Sequence, residues 1–280
     1  MGNNIESISE EIAQLDVHSL HRFGIPTKVL EAIVFEHGGD PRLLKLQAKG
    51  ILAGVCDPHR LLNSNGIISG PTGSGKTFLA EMRMLARYFE DKKSNAERKP
   101  RVDEGRGKTI YLVPMRAIGL EKLGYLSGLY GQFGIKVLYS DGDFRIHDGD
   151  ILRGKFDVAI IVNEKLRFFL LHNREFFKTA GEVVIDEIGL IADKFRGPNL
   201  EITLTGLLSC PHKPIIIALA TPLEGTRQLA ESLDGFLIED ETRPIDIRTG
   251  IWSIYDGQMH SWSHNTLQTY PLERMGLELR

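Results

Sequence analysis

Residues 66–78, GIISGPTGSGKTF, decide the fold because they join three kinds of local structure in a fixed order. The apolar run Gly66–Ser69 predicts a buried strand, and residues 70–77 fit the phosphate-binding pattern G-x-x-x-x-G-K-[ST]. An amphipathic helix is predicted over Phe78–Phe89. A strand, a glycine-rich turn and a helix are the context that the pattern requires, so the sequence predicts a nucleotide-phosphate site in a P-loop domain.

The glycine-rich turn supplies the groups that a triphosphate needs. Its glycines let successive N–H groups converge on phosphate oxygens, and the N-terminus of the following helix adds partial positive charge. We expect Lys76 to reach the β and γ phosphates and the hydroxyl of Thr77 to ligate Mg²⁺. The predicted nucleotide-binding residues of this turn are Pro71, Thr72, Gly73, Ser74, Gly75, Lys76 and Thr77.

A second signal for phosphate chemistry lies at residues 182–187, EVVIDE, where an apolar strand ends in two carboxylates. Such a pair is weak evidence alone and becomes strong when it follows a P-loop with two or more strands between. We expect Asp186 to hold Mg²⁺, directly or through water, and Glu187 to orient and deprotonate the attacking water. Lys76, Asp186 and Glu187 are therefore the predicted catalytic residues, and Thr77 and Asp186 the predicted metal ligands.

Short apolar runs alternate with amphipathic stretches from residue 65 onward, which is typical of a parallel sheet covered by helices on both faces. The expected fold is a three-layer α/β P-loop domain. The predicted strands are 66–69, 109–113, 136–139, 158–162, 182–185, 215–219 and 236–238. Helical spacing over residues 5–55, broken by turns at 24–26 and 38–41, predicts a helical N-terminal extension.

These patterns divide the chain into an N-terminal extension over residues 1–55, a P-loop domain over 56–245 and a tail over 246–280. The charged stretch 91–107 predicts a mobile surface loop, either a plain solvated linker or an accessory nucleic-acid contact. In the tail we predict one β segment near 245–247 and otherwise little order.

Composition excludes several classes of protein. The formal net charge is -3, so any nucleic-acid site must be a local patch. Cys56 and Cys210 form no CxxC pair, which argues against structural zinc or a disulfide framework. No apolar run reaches membrane-spanning length, and the first residues lack a targeting signal, so we expect a cytoplasmic protein without a membrane partner.

Several motifs together resemble the first, RecA-like motor domain of superfamily 2 helicases of the DExH-box type, and most closely their superkiller-like group with its archaeal repair relatives. The resemblance covers roughly residues 20–250 and keeps the family's order of motifs. The matching segments are LKLQ at 44–47, SGPTGSGKT at 69–77, PMRA at 114–117, DGD at 141–143, NEKL at 163–166, DEIG at 186–189 with Asp193, RGP at 196–198 and Glu201, ALAT at 218–221, and RP at 243–244. This resemblance implies ATP hydrolysis with Mg²⁺ that drives movement on single-stranded DNA or RNA.

The same resemblance assigns roles beyond the phosphate site. It makes Gln47 an adenine-reading residue. It places at the nucleic-acid backbone Pro114, Arg116, Ala117, Asp141, Gly142, Asn163, Glu164, Lys165 and Arg196. It assigns a further role, coupling of the nucleotide site to movement on nucleic acid, to Gly189, Leu219, Ala220 and Thr221. The alternative interpretation of Arg116 is a surface arginine at the start of a helix, without a nucleic-acid role.

Three departures from the family pattern bear on coupling and on strand contact. Gly189 stands where the family has His, and Leu219 stands where it has Ser. Since those two family side chains lie near each other, their joint absence suggests hydrolysis that is weakly coupled to strand separation, or else neutral drift. Val162-Asn163 replaces Thr-Pro, which removes a hydroxyl that could contact a phosphate.

The family's motor has a second domain that supplies arginines to the nucleotide, and an arginine of this kind contributes about 10³-fold or more in rate. Only 36 residues follow Arg243-Pro244, so we expect the second domain in a longer parent chain or another subunit. Two alternatives stay open: a nucleotide-switched module that binds nucleic acid or protein, and a P-loop enzyme unrelated to nucleic acid, such as a small-molecule kinase.

Overall fold

The computed structural model describes residues 15–97, 107–244, 248–252, 259–263 and 269–272. Its centre is a seven-stranded sheet in the order β3-β4-β2-β5-β6-β1-β7, and every neighbouring pair is parallel. The strands are β1 Gly66–Ser69, β2 Thr109–Val113, β3 Val137–Ser140, β4 Val158–Val162, β5 Glu182–Ile185, β6 Ile215–Ala220 and β7 Phe236–Glu239.

Helices cover both faces of this sheet, which confirms the predicted three-layer α/β P-loop fold. They are α1 Thr27–Glu36, α2 Lys45–Ala53, α3 Lys76–Glu97, α4 Arg116–Tyr130, α5 Asp148–Leu152, α6 Asn163–His172, α7 Gly197–Leu208 and α8 Thr226–Ser232. Two hydrophobic cores result. One lies against α1 to α4, and the other lies against α5 to α8.

Strand residues alternate between these two cores, as the pleat of a strand requires. Ile68 and Leu219 belong to the core on the α3 side, whereas Ile67, Ala218 and Ala220 belong to the other. The strands therefore carry apolar side chains on both faces, which explains the nearly continuous apolar runs in the sequence. All seven predicted strands are present, with β3 shifted by one residue toward the C-terminus and β6 and β7 each ending one residue later than predicted.

The helix after the phosphate loop is longer than predicted. It begins at Lys76 and continues to Glu97, so the predicted loop over 91–107 was wrong for its first seven residues. Lys, Ala and Glu in this stretch are good helix formers, and a charged composition does not stop a helix that is already nucleated by buried turns. Residues 98–106 lie outside the described part of the chain.

The helical N-terminal extension is present over its described part. A 3₁₀ helix spans Val17–Phe23, and α1 buries Val29, Leu30 and Ile33 against the core. Gly24 has φ 83° at the end of the 3₁₀ helix, a left-handed conformation that glycine adopts without strain. Residues 1–14 lie outside the described part.

The tail contains more regular structure than predicted. Strands β8 Arg248–Trp252, β9 Met259–Ser263 and β10 Thr269–Leu272 form a three-stranded antiparallel sheet. The β segment predicted near 245–247 falls on residues outside the described part. The dipeptide Asp256-Gly257 is a hairpin signal in the sequence that the prediction overlooked. No helix among the described residues is both long enough and apolar enough to span a bilayer.

Candidate nucleotide site and nucleic-acid face

Sheet order brings the two predicted phosphate-chemistry segments to one edge. The loop of residues 70–75 follows β1, and Asp186 follows β5, with only β6 between these strands. Ile67 of β1 and Ile185 of β5 both pair with Ala218, so the two strands end at nearly the same height. Two strand spacings amount to about 10 Å, close enough for a triphosphate and one metal ion to bridge the two segments.

The phosphate loop has the backbone conformation that its glycines predict. Gly73 and Gly75 have φ values of 82° and 86°, which a residue with a side chain rarely adopts. At Gly70, where the resembling family has Ala, a Cβ would lie 2.6 Å from Oγ of Ser74 and 2.9 Å from Leu46. The Ala-to-Gly departure is therefore matched by tight local packing.

The first turn of α3 points its free N–H groups toward the loop, since the first four N–H groups of a helix have no partner within it. The hydroxyl of Ser74 is also buried without a hydrogen-bond partner among the described residues. These unsatisfied donors lie in a concave backbone turn, and a phosphate group would satisfy them. The loop therefore fits a bound nucleotide.

The side chain of Lys76 folds over its own loop. Its ammonium donates to the carbonyl oxygens of Gly70 at 2.6 Å and Pro71 at 3.0 Å. Burial lowers the pKa of Lys76, and the carboxylates of Glu187 and Asp186 partly oppose that shift. The structure thus brings the three predicted catalytic residues within electrostatic reach of one another.

The two carboxylates differ in environment. Burial raises the pKa of Asp186, against the opposing effect of Lys122 and, more weakly, of Lys76. Glu187 has φ 66° and ψ 65°, a left-handed conformation that costs a non-glycine residue about 1–3 kcal/mol. The hydroxyl of Thr221, just after β6, donates to Oε1 of Glu187 at 3.3 Å. The strained backbone of Glu187 shows that the surrounding structure fixes the position of this residue.

The residues predicted to hold Mg²⁺ suit that ion. The hydroxyl of Thr77 and the carboxylate of Asp186 are hard oxygen donors, and Mg²⁺ is usually held by one or two protein oxygens together with substrate phosphates and water. Within the described residues, no group of three or more His, Cys, Asp and Glu could hold a metal without such help. The donor set therefore fits a metal that arrives with its nucleotide.

Gln47 lies beside the phosphate loop, where the family resemblance puts it. Its Oε1 accepts the N–H of Leu44 at 2.7 Å and so caps the start of α2. Its side-chain amide packs so closely on Gly75 that a Cβ there would overlap Nε2. The adenine-reading role stays a prediction, and the structure adds a capping role that the sequence reading missed.

Arg116 begins α4 and is held by two carboxylates of the loop after β3. Its guanidinium lies 3.2 Å from Asp141 and 2.6 Å from Asp143. Asp141 also accepts from the hydroxyl of Tyr139 and from the N–H groups of Asp143 and Phe144. The carboxylate of Asp141 is thus engaged within the protein, and its contribution at this face is to orient Arg116.

The other predicted nucleic-acid residues lie on the same edge. One shallow cavity is lined by Pro114, Asn163, Glu164, Asp186, Glu187 and Arg196, among others. Asn163 accepts from the hydroxyl of Thr203 at 2.9 Å, so its oxygen is already used inside the protein. Lys165 pairs with Asp148 at 2.5 Å and is largely buried. Gly142 and Ala117 flank the Arg116 cluster in sequence.

Gly189 and Leu219 are not brought together in the way the predicted coupling pair requires. A Cβ built on Gly189 would lie 2.7 Å from Leu223 and 3.0 Å from Oε1 of Glu187. Leu219 is buried in the core on the α3 side and pairs with Ile68 of β1, and none of the three atoms nearest to that Cβ belongs to it. Among the four predicted coupling positions, Thr221 is the one whose side chain contacts Glu187, while Ala220 packs in the core on the α7 side.

Lys122, Tyr111 and Glu81 form contacts that were not predicted from the sequence. Lys122 of α4 places its ammonium 4.0 Å from Oδ2 of Asp186 and 4.4 Å from the ring centre of Tyr111. Glu81 of α3 is buried and accepts from the hydroxyls of Tyr125 and Tyr130. No short-range pattern links these positions, since their proximity depends on how the helices pack on the sheet.

Comparisons with known proteins agree with this geometry. A family described as DEAD/DEAH box helicase matches residues 55–229, more than half of the chain. A protein of Methanocaldococcus jannaschii named ATP-dependent DNA helicase Hel308 is 32% identical over 225 residues, which cover 80% of this chain and 17% of that protein.

Two further archaeal proteins carry the same name. The protein from Methanococcus vannielii is 34% identical over 74% of this chain and 25% of its own length. The protein from Pyrococcus horikoshii is 31% identical over 78% of this chain and 27% of its own length. The chain therefore spans about a quarter or less of the relatives it matches.

Proposed function

The chain belongs to the DEAD/DEAH box helicase family, and we propose that it is the ATP-binding motor unit of a helicase that moves on single-stranded nucleic acid. The observation that carries the proposal is the meeting of Lys76, Asp186 and Glu187 at one sheet edge, with Arg116 on the same edge. Nucleotide chemistry and strand binding would then share one surface, as a motor requires.

The proposed chemistry is hydrolysis of ATP. The loop N–H groups and Lys76 would hold the β and γ phosphates. Thr77 and Asp186 would hold Mg²⁺, which would neutralise charge on the phosphate oxygens. Glu187 positions the attacking water and accepts its proton, and its contact with Thr221 fixes where that carboxylate points. Gln47 contacts the base from α2.

The strand is gripped through its phosphates, which gives low sequence preference. Arg116 is the leading contact because its guanidinium is half exposed and is oriented by Asp141. A phosphate would replace Asp143, which is largely exposed, as the partner of Arg116. Pro114, Asn163, Glu164, Lys165 and Arg196 would shape the edge on which the strand lies.

Within the family we place the chain in the superkiller-like DExH group, as the first of two motor domains. In that reading residues 56–245 are this domain, residues 1–55 carry the adenine-reading helix and residues 246–280 lead toward the second. The relatives extend well beyond the matched region, which gives room for a second domain. Their name specifies DNA, so we propose DNA as the strand. We also propose that the protein acts in the cytoplasm.

A second candidate is a nucleotide-switched module that binds nucleic acid and hydrolyses ATP slowly or without coupling. Gly189, with no side chain to connect Glu187 to a strand, favours it. The motif residues Lys76, Thr77, Asp186 and Glu187 are all intact, which favours the motor. The two candidates differ in whether a strand accelerates hydrolysis.

The test measures ATP turnover by the 280-residue chain with and without oligodeoxythymidine and oligouridine, together with nucleotide binding by fluorescence. We expect slow turnover that depends on Mg²⁺, is raised by a strand and is abolished by Lys76→Ala. The matched control is Lys136→Ala, which removes a half-exposed lysine paired with Asp150. Absence of nucleotide binding would overturn the proposal, and turnover that no strand changes would favour the switched module.

A further inference from the structure

We propose that Lys122 is a positioning residue that connects the strand-binding end of α4 to the metal-ligand carboxylate Asp186. This inference rests on the proposed function and adds a coupling element to it. Lys122 takes no part in any of the motifs described above.

The side chain of Lys122 lies at the meeting point of three elements. Its ammonium is 4.0 Å from Asp186 at the tip of β5 and 4.4 Å above the ring of Tyr111 on β2, and only 12% of the side chain is exposed. An ammonium that is nearly removed from water requires compensating charge, so its position is tied to the carboxylates around it. Moving Lys122 therefore affects Asp186.

A second carboxylate lies within electrostatic reach of Lys122. Glu81 on α3 is buried, and burial raises its pKa, against an opposing effect of Lys122 that is the largest among its neighbours. Tyr125, one turn after Lys122 on α4, donates to Glu81 at 3.2 Å. The charge of Lys122 thus acts on two carboxylates, and a bound metal would engage one of them, Asp186.

The N-terminal end of α4 is also held by ion pairs. Arg116, the first residue of the helix, is paired with Asp141 and Asp143, and a strand phosphate would compete for it. Six residues separate Arg116 from Lys122, about 9 Å along a rigid helix. A phosphate at Arg116 and a metal at Asp186 would therefore each act on an ion pair of the same helix, so both ligands can bias the placement of α4.

The consequence is a thermodynamic coupling. If Mg²⁺ draws Asp186 away from Lys122, the helix is freed to reposition Arg116, and strand binding at Arg116 conversely alters how Asp186 is held. Such coupling must be reciprocal: the nucleotide changes strand affinity by the same factor by which the strand changes nucleotide affinity. Lys122 should be necessary for this factor but not for either binding event.

The experiment measures the affinity of the full chain for labelled oligodeoxythymidine with and without a non-hydrolysable ATP analogue plus Mg²⁺, and the reverse pair of affinities. For the unaltered chain we expect a coupling factor of about fivefold or more. Lys122→Met and Lys122→Gln should reduce the factor toward unity while both ligands still bind, and Lys122→Arg should retain most of it. Lys136→Met is the control that removes a lysine–aspartate pair elsewhere.

The outcomes separate this inference from the proposed function. If the unaltered chain binds both ligands independently, or if Lys122→Met and Lys122→Gln both keep the full factor, the role of Lys122 is refuted while the motor assignment stands. If neither ligand binds the unaltered chain, the proposed function itself fails. Circular dichroism identifies a misfolded variant, and the neutral polar Lys122→Gln then decides the question together with Lys122→Arg.

Discussion

The hydroxyl of Thr221 lies 3.3 Å from Oε1 of Glu187, and this contact joins the ends of β6 and β5 at the nucleotide edge. Glu187 has a strained left-handed backbone conformation, and the hydrogen bond from Thr221 orients its carboxylate. The proposed water-activating group is thus oriented by a residue of the neighbouring strand end.

We predict that Thr221→Val slows ATP hydrolysis about tenfold, equivalent to about 1.4 kcal/mol in the barrier, because Glu187 loses its orienting hydrogen bond. Nucleotide affinity should stay nearly unchanged, since the hydroxyl does not contact the phosphate loop. Turnover and fluorescent-nucleotide binding measured side by side check this. Thr205→Val, an exposed threonine on α7, is the control, and equal rates for the two variants would contradict the prediction.

The substitution pair suggested by the family resemblance, Gly189→His with Leu219→Ser, has a different expected result in this fold. Leu219 is buried in the core on the α3 side, so Leu219→Ser should lower the free energy of unfolding by about 2–5 kcal/mol without reaching Gly189. Chemical denaturation measures the loss. Ile202→Ser, at a half-exposed position on α7, should cost far less, and comparable losses would show that Leu219 is not a core residue.

A better test of position 189 follows from its neighbours. A side chain there meets Leu223 first, so Gly189→His must displace the end of that side chain, and Leu223→Ala removes the contact. We predict that the pair Gly189→His with Leu223→Ala hydrolyses ATP faster in the presence of a strand than Gly189→His alone. Strand-stimulated turnover checks this, and Leu223→Ala alone is the control. Equal stimulation of both Gly189→His variants would rule out the steric explanation.

The local parts of this structure were predictable because they depend on neighbouring residues. The seven strands and the phosphate loop follow from short apolar runs and from glycine and lysine spacing, and the order of motifs implied the sheet edge at which Asp186 lies. The length of α3 was underestimated, since the charged residues after Phe89 looked like a loop but continue a nucleated helix.

The long-range parts were not predictable. Which core Leu219 faces depends on strand register and sheet order, since a shift of one residue turns a strand side chain to the opposite face. The cluster of Lys122, Glu81 and Tyr111 joins α4, α3 and β2, and no sequence spacing encodes those three-dimensional distances. The internal engagement of Asp141 and Asn163 is likewise a property of the packed fold.

Gln47 offers a test that separates capping from base recognition. Gln47→Glu keeps an oxygen for the N–H of Leu44 but loses the side-chain amide donor, whereas Gln47→Ala loses both. We predict that both variants bind ATP more weakly, while only Gln47→Ala lowers the melting temperature, by an amount matching about 1 kcal/mol. Thermal unfolding and ATP-against-GTP competition check this. Unchanged ATP-over-GTP preference in Gln47→Glu would remove the adenine-reading role.

Arg83 is the residue whose loss should harm stability most. It is fully buried on α3, donates to Glu182 at 2.7 Å and also donates to the carbonyl oxygens of Val55, Leu61, Leu62 and Ser64. Arg83→Met removes a partner of a buried carboxylate and strands several carbonyls, which should cost about 3–5 kcal/mol. Denaturant unfolding measures this. Arg153→Met breaks the exposed pair with Asp150 and should cost less than about 1 kcal/mol.

Asp240, just after β7, forms ion pairs with Lys45 and Lys49 of α2, and acid should weaken these contacts. Burial alone would raise its pKa, but hydrogen bonds from Lys49 and Thr242 outweigh this and hold the pKa at about 2. A carboxylate whose pKa is lowered on folding stabilises the protein above its unfolded-state pKa, and that contribution disappears as the pH falls through about 2. Asp240→Asn should therefore be less stable than the unaltered chain at neutral pH, and the difference should shrink steadily below about pH 4.

Urea unfolding at a series of pH values checks this, with the exposed Asp234→Asn as the control. A stability difference that stayed constant down to about pH 2 would show that Asp240 acts through packing and not through its charge.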